Sequence, residues 1–111
     1  MRVFAQTRFE ALHSWDNAEP PVEYLKHPHR HEFHVKAEVE VSHTDRDIEF
    51  IHLKHRLNQI AESLEVQDLS CEQYAMRICQ QLVNDNPNRN VEVTVSEDGE
   101  NGAIVNQSDL P

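Results

Sequence analysis

Three histidines alternate in the run His27-Pro-His-Arg-His-Glu-Phe-His-Val35, at positions 27, 29 and 31. The alternation then continues as Phe33, Val35, Ala37, Val39 and Val41. A strand puts every second side chain on one face. A strand through this segment would therefore carry an apolar face that runs directly into a row of imidazoles. Imidazole nitrogens suit zinc, and three of them plus an open position is the ligand set of a catalytic zinc site. Zinc has no redox chemistry of its own, so such a site polarises an oxygen or acidifies a bound group. A lone His-x-His pair is more often a solvated tract that binds metal without purpose. The third ligand is what changes that reading, and it has to come from elsewhere in the chain.

Residues 2–13 supply it. Val3, Ala5, Phe9 and Ala11 share a parity, broken by Thr7, against Gln6, Arg8 and Glu10, and that parity ends on His13. This is the pattern of a half-buried strand. If it pairs as a hairpin with the strand over 31–42, His13 falls beside His29 and His31. His27 shares their parity but precedes Pro28, which places it in the loop. That loop, 14–28, holds Asp16, Asn17, Pro20, Pro21 and Pro28; long polar loops are uncommon in compact domains and are often functional.

From about 47 to 64 the period changes. Phe50, Leu53, Leu57, Ile60, Ala61 and Leu64 recur at helical spacing. A second helix is predicted from Ser70, where Ser-Cys-Glu-Gln fits a capping box with Gln73 reaching back. Tyr74, Ala75, Ile78 and Leu82 form its stripe, and Asn84-Asp-Asn-Pro-Asn88 ends it. Val91, Val93 and Val95 predict a third strand, Asp98–Gly102 a turn, and Ala103–Asn106 a short fourth strand, with residues 107–111 fraying. Two strands, two helices and two strands, each with one apolar side, predict an α+β domain over 1–106, an antiparallel sheet covered on one face.

Composition narrows the partners. Ten Lys and Arg against twenty Asp and Glu give a net charge of −10, which argues against a nucleic-acid backbone. No apolar run approaches membrane-spanning length and the N-terminus lacks a signal-peptide core. Cys71 and Cys79 fall on one helix, separated by about 12 Å of rise, too far for a disulfide. They are expected to be small buried thiols of a cytoplasmic protein.

Several motifs, in order, resemble the 6-pyruvoyl- and 6-carboxy-tetrahydropterin synthases. Phe9-Glu-Ala-Leu-His13 is similar to that family's F-x-A-x-H strand end, and His29-Arg-His31 with Phe33 and Val35 to its H-G-H-x-[YF]-x-V segment. Ile48-Glu-Phe-Ile-His-Leu-Lys54 resembles V-x-D-F-x-x-L-K, Leu69-Ser-Cys-Glu72 stands where the family has P-T-S-E, and Val95-Ser-Glu-Asp98 where it has V-x-E-T. The resemblance implies a T-fold of ββααββ order that associates through its sheets into a barrel, usually a hexamer. It implies zinc held by His13, His29 and His31, and a pterin ring anchored by Glu97, whose carboxylate would accept two parallel hydrogen bonds from a guanidine-like edge. Glu97 also keeps the parity of Val91, Val93 and Val95, which by itself puts it on the core-facing side.

The chain departs from the family at its base. Where the family has a catalytic cysteine before H-G-H, this sequence reads Glu23-Tyr-Leu-Lys-His27. The family's Asp-His pair after the first helix has no counterpart, because Leu64-Glu-Val-Gln-Asp68 runs almost directly into the second helix. Glu23 and His27 are the loop residues that could supply a base. Two functions are therefore expected to compete: zinc-dependent conversion of dihydroneopterin triphosphate or a related pterin by elimination and tautomerisation, and a degenerate member that binds zinc and a pterin without turnover.

Overall fold

A computed structural model describes residues 1–66 and 69–111. Four strands form one antiparallel sheet in the order β1-β2-β3-β4. They are β1 (Arg2–His13), β2 (His29–Glu40), β3 (Val91–Glu97) and β4 (Asn101–Asn106). Helices α1 (Phe50–Ser63) and α2 (Cys71–Asp85) lie between β2 and β3 in sequence. In space α1 lies over β1, and α2 lies over β3 and β4. The α+β arrangement with two helices on one face of an antiparallel sheet is thus present.

The odd-numbered side chains of β1, β2 and β3 face the helices. Ala5, Phe33, Val35, Ala37, Val39, Val91, Val93 and Val95 are all buried there. They pack against Leu53, Leu57 and Ile60 of α1 and Tyr74, Ile78 and Leu82 of α2. Because a strand's side-chain period is two, fixing Val35 inward also fixes His29, His31 and Glu97 on the helix side. Tyr74 ties the helices together by donating its hydroxyl to the Ala61 carbonyl at 3.1 Å, which satisfies a fully buried phenol.

Helix ends follow local chemistry. Ser70 and Gln73 make the reciprocal capping box expected for α2. Glu49 caps α1 by accepting from the His52 N–H, so the helix begins at Phe50, a turn after the sequence pattern starts. The second strand begins at His29, two residues before the expected start at 31, since pairing to β1 holds it from His13 onward.

The C-terminus departs from expectation. Rather than fraying, Gln107–Asp109 close as a 3-10 turn capped by Asn106, and Leu110 packs against the core. The connection Leu64–Asp68, expected to be shortened, falls partly outside the described residues, at 67 and 68. Among the described residues no helix is long and apolar enough to cross a membrane.

Candidate metal and ligand site

The site forms where β1 ends and β2 begins. Register places His13 directly opposite His29 and Ala11 opposite His31. The His13 and His29 rings stand 5.6 Å apart between centroids and the His29 and His31 rings 4.6 Å, each pair nearly perpendicular. Buried Phe33 floors the group, 5.9 Å from His13 and 6.3 Å from His31. Glu97, the last residue of β3, lies opposite Phe33 and brings its carboxylate to the same place.

Each imidazole has one nitrogen already engaged. His13 Nε2 donates to the Leu69 carbonyl at 2.7 Å, His29 Nδ1 to the His27 carbonyl at 2.8 Å, and His31 Nδ1 to Asp98 Oδ2 at 2.7 Å. Donation from one nitrogen sets the tautomer and leaves the other with its lone pair. The nitrogens left over are His13 Nδ1, His29 Nε2 and His31 Nε2. Two of these, His13 Nδ1 and His31 Nε2, are buried without a hydrogen-bond partner, which ordinarily costs free energy. They face the two oxygens of Glu97 at 3.6 and 3.5 Å.

That donor set fits zinc. Its atoms are imidazole nitrogens, and the outer nitrogens are held by carbonyl or carboxylate as the ligands of metal sites are. Around a tetrahedral ion with Zn–N near 2.0–2.1 Å, ring centroids would stand about 5 Å apart, close to the spacings seen. Among the described residues no group of three or more His, Cys, Asp or Glu side chains stands, as placed, where it could hold a metal ion. The rings are gathered, and closure would take side-chain rotation.

Asp98 is held as firmly as the histidine it orients. Its backbone adopts a left-handed conformation (φ 58°) in the β3–β4 turn. Its N–H donates to the Glu32 carbonyl at 2.6 Å and its Oδ1 accepts from the Glu32 N–H at 2.9 Å. Its carboxyl pKa is lowered, first by that Glu32 N–H and then by His31.

A cavity of about 900 Å³ opens beside the histidines. His13 and His29 line it, together with Cys71 and Glu72 at the α2 N-terminus and Glu97 at the β3 end. Ser14, Trp15, Asn17 and Leu25 of the 14–28 loop and Asn101 and Gly102 of β4 also line it. Trp15 donates its N–H to the Leu25 carbonyl at 2.7 Å, folding the loop back so that both residues line the cavity. Ala18, fully buried, pins it.

The expected residues are therefore partly gathered. His13, His29, His31 and Glu97 come together. Glu23 and His27 lie on and just after the exposed 3-10 turn Glu23–Lys26 and are not among the cavity-lining residues; His27 contributes its carbonyl to His29 rather than its ring. Three residues the sequence reading did not place in the site are there. Cys71, read as a small buried residue, is half-buried and lines the cavity. Burial, then the charges of Glu97 and Glu72, push its thiol up to about 11. Trp15 and Asp98 were the others. Trp15 follows His13 by two residues and Asp98 follows Glu97, so adjacency to the expected ligands was the available signal.

No protein-family model matches this chain, and no curated protein matches it. The class defined by fold and site together is an α+β domain with a histidine-rich pocket at the end of its sheet.

Proposed function

We propose that this chain is a zinc-dependent protein of the tetrahydropterin synthase kind, acting on dihydroneopterin triphosphate or a related pterin. The observation that carries the reading is the pair of unpartnered buried nitrogens, His13 Nδ1 and His31 Nε2, directed at Glu97 beside an open cavity. His13, His29 and His31 would hold the ion, which when bound would acidify the hydroxyls of the substrate side chain. Leu69, His27 and Asp98 keep each ring in the tautomer that presents a lone pair. Glu97, turned from the histidines toward the cavity, would accept paired hydrogen bonds from the amino and ring N–H groups of the heterocycle. Phe33 and the loop segment Trp15–Leu25 would keep water from the reacting end.

A second reading, binding without turnover, is favoured by where the candidate bases lie. Glu23 and His27 stand outside the cavity lining. Within it the Cys71 thiol, pushed up to about 11, stays protonated near neutral pH and is a poor proton acceptor.

The T-fold assembly belongs to the same proposal. Both β1 and β4 are sheet edges, and long open edges are templates for pairing with another chain. Phe4, Leu12 and Ile104 are exposed on these two strands. Edge-to-edge pairing of copies into a barrel, with a trimer or hexamer as the product, would cover them.

Metal analysis of the purified protein should find about one zinc per chain, lost in His29→Ala and His31→Ala. A wild-type protein that neither carries nor takes up zinc would overturn the reading. Incubating the zinc-loaded protein with dihydroneopterin triphosphate then separates the two versions: product supports the enzyme, and retained pterin binding without product supports the binder.

A further inference from the structure

Trp15 is the only tryptophan in the chain, and nothing in the core accounts for it. It is 49 % exposed, although its backbone is tied into the loop by the bond to Leu25. A large ring left half in water at the wall of a cavity leaves apolar area that a ligand can cover. The same cavity is lined by Ser70, Cys71 and Glu72 at the α2 N-terminus and by Glu97.

Charge defines the other half of the ligand. The described lining residues include Glu72 and Glu97 and no lysine or arginine. Arg30, adjacent in sequence to both site histidines, is on the outer face of β2 with Glu10 at 3.6 Å. Apart from the proposed zinc, the one element among the described lining residues that would attract an anion is the positive end of α2. There Ser70 already caps the Gln73 N–H and Glu72 sits in the first turn, so that end is complemented from within. A triphosphate, with about four negative charges near neutral pH, would meet carboxylates here and in a chain of net charge −10.

We infer that the cavity takes a planar heteroaromatic ring carrying no phosphate, stacked on Trp15, and that Trp15 is its positioning residue. The inference rests on the pterin reading above and narrows it, selecting the dephosphorylated members of that ligand class over dihydroneopterin triphosphate.

The probes are dihydroneopterin and its triphosphate, measured against the zinc-loaded protein by equilibrium dialysis and by the fluorescence of the sole tryptophan. Dihydroneopterin should bind at least about tenfold more tightly than the triphosphate and quench the Trp15 emission. Trp15→Leu should weaken it by about tenfold, the scale of one aromatic stacking contact. Trp15→Phe, which keeps a ring, should recover most of the affinity. Unchanged zinc content and circular dichroism in both variants would exclude a folding defect. Triphosphate binding as tight as, or tighter than, the neutral ligand would overturn the inference while leaving a pterin site standing. So would full affinity in Trp15→Leu. Failure of the wild type to bind either pterin would overturn the inference and the pterin reading together.

Discussion

His31 is held between two carboxylates, with Nδ1 2.7 Å from Asp98 Oδ2 and Nε2 3.5 Å from Glu97 Oε2. The first contact orients the ring and the second marks where its other nitrogen points. Both carboxylates come from the β3 end and its turn, so the geometry of a histidine on β2 is decided by residues more than sixty positions later. The same division holds for His13, oriented by Leu69 and facing Glu97.

Removing the charge that orients His31 tests that division. Asn at position 98 tolerates the left-handed backbone and keeps an acceptor for the Glu32 N–H, but it loses the carboxylate–imidazole bond. Asp98→Asn should weaken zinc binding by about 10- to 100-fold, the usual cost of losing a partner behind a metal histidine. Competition with a chromophoric chelator measures it, and an unchanged affinity would show that Asp98 serves the turn alone.

Gly102 is required for a different reason. A Cβ built there would overlap the Val95 carbonyl and Ser96 Cα, which are backbone atoms that cannot swing aside. Gly102→Ala should therefore push β4 off β3 and loosen the cavity edge, with a loss of about 1–3 kcal/mol, the range for overpacking a tight site. Urea denaturation would show a lower midpoint, and amide exchange should accelerate first in Asn101–Asn106.

The two thiols should report the cavity directly. Both are pushed up to about 11, chiefly by burial, so near pH 8 only about 0.1 % of each is thiolate. Alkylation by iodoacetamide should be slow for both, with Cys71 modified before Cys79, because Cys71 lines the cavity and Cys79 is fully buried. Glu97→Gln removes the second-largest influence on Cys71 and should accelerate its alkylation alone. Mass spectrometry of the native protein over a time course distinguishes the two positions.

Acid stability should hinge on Asp47. Its carboxylate accepts from Arg89 at 2.7 and 3.1 Å and from the Ser42 N–H and hydroxyl, and its pKa is held far below the usual carboxylate range, first by Arg89 and then by Ser42. The unfolded chain therefore takes up this proton at a higher pH than the folded one. The stabilisation is fully present above the ordinary value of 3.8 and is lost as pH falls below it. Melting temperature should drop through this range in the wild type and less steeply in Asp47→Asn. Asp47→Asn and Arg89→Ala should each lower Tm at neutral pH, and the double variant should be no worse than the more damaged single one.

Much of this architecture is legible in the chain without coordinates. Period-two runs through Val35 and Val93 and the helical stripe from Leu53 to Ala61 specify each element and its buried side, because burial of one face is a local constraint with a local period. The same logic aligns His13, His29, His31 and Glu97 on the core side, and Ser70 with Gln73 marks the start of α2. Tertiary structure alone decided which nitrogen of the His13 and His31 rings is free, since their partners lie 56 and 67 positions away. It also brought Trp15 and Cys71 into the cavity and left Glu23 and His27 outside it. Periodicity reports which way a side chain faces; what it meets there depends on how distant segments close over it.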